Sequence, residues 1–88
     1  MTLRVLHIED NRADATLVEE ALRAAGLQPV IQRIDRREQL EPALRRGNID
    51  LILSDYKLPA FDGLDALDIV RQAAPDLPFI MVTGSLGD

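Results

Sequence analysis

Apolar positions fall along this chain in two alternating rhythms. Short continuous apolar runs appear at Val5, Leu6 and Ile8, at Ile49 and Leu51 to Leu53, and at Phe79 to Val82. Runs of that length suit strands buried on both faces of a parallel sheet. Between them the spacing becomes helical. Leu17, Val18, Ala21, Leu22 and Ala25 predict an amphipathic helix over 12–25, with Asp10 and Asn11 as cap residues and Gly26 at its stop. Leu40, Ala43 and Leu44 predict a second helix over 35–47, with Asp35 and Glu38 as a capping box. Pro42 conflicts with that helix, because an internal proline costs about 3 kcal/mol. The expectation is a kink, or a helix that starts near Glu41 with Pro42 in its first turn. Leu64, Leu67 and Val70 predict a third helix over 64–73, facing inward, with Asp62 as cap and Pro75 as stop. Residues 29–34 read as a weaker strand. Proline at its start and polar Gln32 and Arg33 within it place it at a sheet edge.

The resulting order is βαβαβαβ with short connections, which implies parallel pairing and right-handed crossovers. In open sheets of this kind, ligands bind outside the carboxyl ends of the strands. The first strand, 4–8, ends in Glu9-Asp10, the third, 49–54, in Asp55, and the fourth, 78–83, in Thr83. The topology therefore collects three carboxylates and one hydroxyl at one rim. An acidic rim can be no more than a solvated edge. Here the carboxylates close two buried strands, and like charges brought together need a cation. Hard oxygen donors suit Mg²⁺, which keeps several waters and binds one or two carboxylates plus a phosphate. A carboxylate beside that ion can accept a phosphoryl group. Thr83 can donate to a phosphoryl oxygen, and Gly84 leaves room beside the backbone. His7, inside the first strand, reads as a packed core or face residue rather than a ligand.

Composition narrows the choice. Eighty-eight residues make one small domain, and a net charge of −5 argues against a nucleic-acid or anionic-membrane surface. There is no cysteine, which excludes thiolate metal sites and disulfides. No signal peptide or membrane span is visible, so the cytoplasm is the expected compartment.

The motifs Glu9-Asp10-Asn11, Ser54-Asp55-Tyr56, Leu58-Pro59, Asp62-Gly63 and Val82-Thr83-Gly84, in this order, resemble the receiver domain of two-component response regulators. The resemblance implies a flavodoxin-like three-layer α/β sandwich with parallel sheet order 2-1-3-4-5. It implies that Asp55 is the phosphoacceptor for a histidine kinase or phosphotransfer protein. It implies Mg²⁺ held by Asp10, Asp55 and the backbone carbonyl of Lys57, with Glu9 helping through water. It implies Thr83 as the switch hydroxyl. Such a module is a switch rather than a metabolic enzyme, although it assists its own phosphorylation and dephosphorylation.

The same resemblance leads one to expect a last helix-strand-helix portion, with a lysine on a fifth strand and an aromatic switch residue. Neither has a counterpart in residues 1–88, so the receiver is expected to be incomplete at its C-terminus. Lys57, the only lysine, lies in the loop after Asp55 and cannot replace the missing one by position. Without a fifth strand, the uncharged run 79–83 becomes an edge open to self-association. A receiver-like, non-phosphorylated module that dimerises or binds a partner is the alternative reading. An aspartyl-nucleophile phosphatase is disfavoured, because Lys57 stands where that chemistry needs a second aspartate.

Overall fold

The computed structural model describes residues 2–55 and 63–82. Four strands, β1 (Thr2–Ile8), β2 (Gln28–Ile34), β3 (Leu51–Asp55) and β4 (Phe79–Val82), alternate with three helices, α1 (Arg12–Ala24), α2 (Arg37–Arg46) and α3 (Gly63–Ala73). The strands form one parallel sheet in the order β2-β1-β3-β4. This is the expected 2-1-3-4 core of a flavodoxin-like receiver fold, with β2 at an edge as read from its proline and polar residues.

The strand order also sets the layers. The step from β1 to β2 runs one way across the sheet, and the steps from β2 to β3 and on to β4 run the other way. With right-handed crossovers, α1 lies on one face and α2 and α3 on the opposite face. The main core fills the second of these. Leu6, Ile8, Ile34 and Ile52 from the sheet pack against Leu40 and Ala43 of α2 and Ala66 and Val70 of α3. Val5, His7 and Leu53, which alternate with them, are buried on the α1 face.

Local chemistry explains most element ends. The Asn11 side chain accepts from the backbone N–H of Asp14 at 3.1 Å, capping α1 as expected. At the other end the Leu27 N–H bonds the Leu22 carbonyl and the Gly26 N–H bonds that of Arg23, with Gly26 at φ +90°. That is a Schellman closure, and it needs a residue tolerant of positive φ. At the start of β3, Asp50 is latched to β1 twice. Its N–H donates to the Arg4 carbonyl, and its carboxylate accepts from the Arg4 N–H, both at 2.8 Å.

Four readings need correction. Leu64 was expected inward but is 51% exposed, and Gly63, Ala66 and Val70 form the buried stripe of α3. Leu17, Ala21 and Ala25 were expected in the core-facing stripe of α1, yet all are exposed and no α1 residue is fully buried. Helix α2 starts at Arg37, not near Glu41, so Pro42 lies inside it and the Glu38 carbonyl lacks its usual donor. Its entry is closed not by Asp35 with Glu38 but by Gln39, whose Oε1 accepts from the N–H groups of Asp35 and Arg36 at 3.0 Å each. A glutamine at the third helical position reaches the cap backbone, which a glutamate at the second does not.

Candidate functional site: an acidic rim at the ends of β1 and β3

β1 and β3 are direct neighbours, paired from Val5↔Leu51 to Ile8↔Ser54. One residue beyond that ladder, each strand reaches its acidic end. Glu9, Asp10 and Asp55 each offer a carboxylate oxygen, and these oxygens lie within 4.8 Å of one another. Glu9 is buried, Asp55 half-buried and Asp10 exposed. The cluster predicted from strand ends is therefore a physical one.

Glu9 is held from several directions. Its N–H donates to the Ile34 carbonyl at 2.9 Å, extending the β1–β2 ladder past the last paired residues. Its carbonyl accepts from Arg33 Nη1 at 2.8 Å. Its Oε2 accepts from the Asn11 N–H at 3.2 Å. Asn11 thus serves twice, as a donor to the site and as the α1 cap. On β3, Ser54 is fully buried on the opposite face from Asp55, and its hydroxyl donates to the Asp55 carbonyl at 3.1 Å.

Burial comes first, ahead of the neighbouring carboxylates, in what bears on Glu9. Burial pushes the Glu9 carboxyl above the ordinary carboxylate range. Hydrogen bonding with Asp10 and the charges of Asp55 and Asp10 act in the same direction, and the Asn11 N–H opposes them. A site that disfavours its own negative charge favours a cation. Three hard oxygen donors, without nitrogen or sulfur, fit Mg²⁺. His7 takes no part in the donor set. It is 2% exposed, its Nδ1 has no hydrogen-bond partner, and burial holds its pKa below the usual value. The reading of His7 as a packed residue stands.

Lys57, Thr83 and Gly84, also expected at this rim, lie outside the described residues. In the sequence Arg33 is no more than a polar residue of an edge strand. The signal that finds it is the register, since Arg33 pairs with His7, two residues before Glu9 on the parallel neighbour.

With this geometry in hand, similarity to known proteins can be stated. The family model described as the response regulator receiver domain matches residues 5–87. The chain is 36% identical over 85 residues to the transcriptional regulatory protein BaeR of Escherichia coli, covering 97% of this chain and 34% of that protein. It is 32% identical over 83 residues to the response regulator protein FleR of Pseudomonas aeruginosa, covering 94% of this chain and 17% of that protein. The chain thus spans about a third of one of these curated relatives and about a sixth of the other. Among solved structures, it resembles the receiver domain of the sensor histidine kinase PA1611 from P. aeruginosa, which has a magnesium ion coordinated in its active site cleft. The TM-score is 0.75 at 28% identity, over 92% of this chain and 66% of that one. It also resembles the chemotaxis response regulator CheY4 of Vibrio cholerae, with TM-score 0.75 at 26% identity, over 98% of this chain and 72% of that one. A family match over nearly the whole sequence, together with the shared fold, makes the assignment plain: the chain belongs to the response regulator receiver domain family of two-component signalling.

Proposed function

We propose that this chain is a phosphoacceptor module that takes a phosphoryl group on Asp55 from a histidine kinase or a phosphotransfer protein. The observation that carries the proposal is the meeting of Glu9, Asp10 and Asp55, with carboxylate oxygens within 4.8 Å, at the ends of two adjacent parallel strands. Mg²⁺ would be held by Asp10, Asp55 and the backbone carbonyl of Lys57, with Glu9 helping through water. The magnesium ion named in the PA1611 receiver domain supports the same ion here. When bound, it supplies neutralisation of charge on the transferring oxygens.

The steps belong to the chain's own groups. An oxygen of Asp55 forms a bond to the phosphorus of a phosphohistidine as the P–N bond breaks. The bonding pair stays on the imidazole, which takes a proton from solvent. Hydrolysis reverses the modification: water attacks phosphorus, the P–O bond to Asp55 breaks, and inorganic phosphate leaves. Thr83 would donate its hydroxyl to the phosphoryl oxygens, with Gly84 giving clearance, so that the segment after β4 carries the switch. The chain turns nothing over as a metabolic enzyme. It binds no nucleic acid itself, and its setting is the cytoplasm. No described helix is long and apolar enough to cross a membrane.

Incubation with Mg²⁺ and a small acyl-phosphate donor, followed by intact-mass measurement, tests the proposal. One added phosphoryl group, absent in Asp55→Asn, is the expected result. An unmodified wild-type chain overturns it.

A second reading, a non-phosphorylated module that self-associates through the strand at 79–83, is favoured by one feature. β4 has a single neighbour among the described strands, and its Ile80 and Val82 are 50% and 42% exposed. A concentration-dependent dimer in light scattering, from a chain that takes no phosphoryl group, would favour this reading.

A further inference from the structure

We propose that Arg33 is a positioning residue for the cation site, a role that rests on the Mg²⁺ part of the function proposed above. Glu9 and Asp10 sit on the turn that leaves β1, facing Asp55. Repulsion among three carboxylates tends to spread such a turn. Two of the bonds that oppose this are donated by backbone N–H groups, Glu9 N–H to the Ile34 carbonyl and Asn11 N–H to the Glu9 Oε2. The third is a side chain from another strand. Arg33 lies level with His7 in the β1–β2 register and reaches forward to the Glu9 carbonyl, where Nη1 donates at 2.8 Å.

That carbonyl belongs to the peptide between Glu9 and Asp10. Fixing it fixes the plane from which both carboxylates depart. The guanidinium also brings a positive charge to the acidic rim without being able to ligate a cation. Its other contact is weaker. Asp35 Oδ2 stands 3.5 Å away, with the two side chains 25% and 37% exposed, so solvent screens that ion pair. A bond from a charged donor to a half-buried carbonyl is the stronger of the two. Groups that orient metal ligands in this way typically change affinity by about 10–100-fold when removed.

The test is an Mg²⁺ titration by calorimetry on the wild-type chain, Arg33→Met, Arg33→Lys and Asp35→Asn, with the folded fraction of each followed by circular dichroism. Arg33→Met is expected to weaken Mg²⁺ about tenfold or more while remaining folded. Arg33→Lys keeps the charge and one donor and should recover part of the loss. Asp35→Asn should stay within about twofold. If Arg33→Met does not fold, Arg33→Gln, closer in polarity, is the variant to titrate, with the same loss expected. An Arg33→Met or Arg33→Gln chain that is folded and binds within twofold of wild type overturns the inference. A wild-type chain that binds no Mg²⁺ overturns it together with the metal part of the proposed function. A wild-type chain that binds Mg²⁺ but accepts no phosphoryl group overturns the phosphoacceptor reading only, and the titration still decides Arg33.

Discussion

The two faces of the sheet are built from alternate residues of the same strands, yet they are covered very differently. Under α2 and α3, Leu6, Ile8 and Ile52 are fully buried and meet Leu40, Ala43, Ala66 and Val70. Under α1, Val5 and His7 are just as inaccessible, but the helix above buries no residue completely and leaves Leu17 59% exposed. One face is an interdigitated, largely apolar layer. The other is a sheet surface with a helix resting lightly on it. It also carries the ionisable side chains of His7, Arg33 and Asp55, whereas the opposite face, among the described residues, buries only the hydroxyl of Ser54. Apolar packing is concentrated on one side of the sheet and the charged side chains on the other.

The largest test of that contrast is truncation inside the apolar layer. Ile52→Ala should lower unfolding free energy by about 3 kcal/mol, read by chemical denaturation. A loss below about 1 kcal/mol would mean that the layer is not close-packed. On the α1 face the expected sign reverses. His7→Leu replaces a buried, unpartnered nitrogen with hydrocarbon and should stabilise by about 1 kcal/mol at neutral pH.

His7 also gives that face a pH signature. Burial lowers its pKa in the folded chain, with Arg33 adding and Asp55 opposing. The unfolded chain therefore binds the proton first. Stability should be intact above the ordinary histidine value and fall as pH drops below it, through the lowered folded value. Melting curves of wild type and His7→Leu should diverge over that interval, and parallel curves would remove histidine as the cause.

Glu9 has the opposite sign. Its raised pKa means that the apo fold is favoured while the carboxyl is protonated and loses stability as pH rises through the raised value. Glu9→Gln should therefore stabilise the metal-free chain modestly at neutral pH, and saturating Mg²⁺ should shrink or reverse that gain. Equal gains with and without the ion would separate Glu9 from the cation site. The smallest effect belongs to Leu17→Ala, expected within about 0.5 kcal/mol because the side chain touches so little.

The same contrast explains what the sequence could reveal. Strand identity, parallel pairing and edge placement of β2 were legible because apolar runs, helical spacing and proline are local signals. The meeting of Glu9, Asp10 and Asp55 followed from topology alone, since parallel neighbours end at one rim. Helix orientation was less legible. The leucines at 17 and 64 satisfy helical spacing, but which stripe faces inward depends on what lies opposite. On α3 the buried positions are Gly63, Ala66 and Val70, while Leu64 faces out. Side-chain reach was not legible at all. Nothing about Arg33 within its own strand points to the Glu9 carbonyl, because the bond spans 24 positions and exists only once β1 and β2 are in register.

The Ile8↔Ser54 pairing ahead of the acidic ends carries a consequence of its own. Asp55 and its neighbour Ser54 point to opposite sides of the sheet. If β3 slipped by one position along β1, the carboxylate would turn beneath α2 and α3, and a hydroxyl would take its place at the rim. The acidic cluster is therefore a vernier for strand alignment: the approach of Glu9, Asp10 and Asp55 reports whether two segments far apart in the chain have met without a one-residue error.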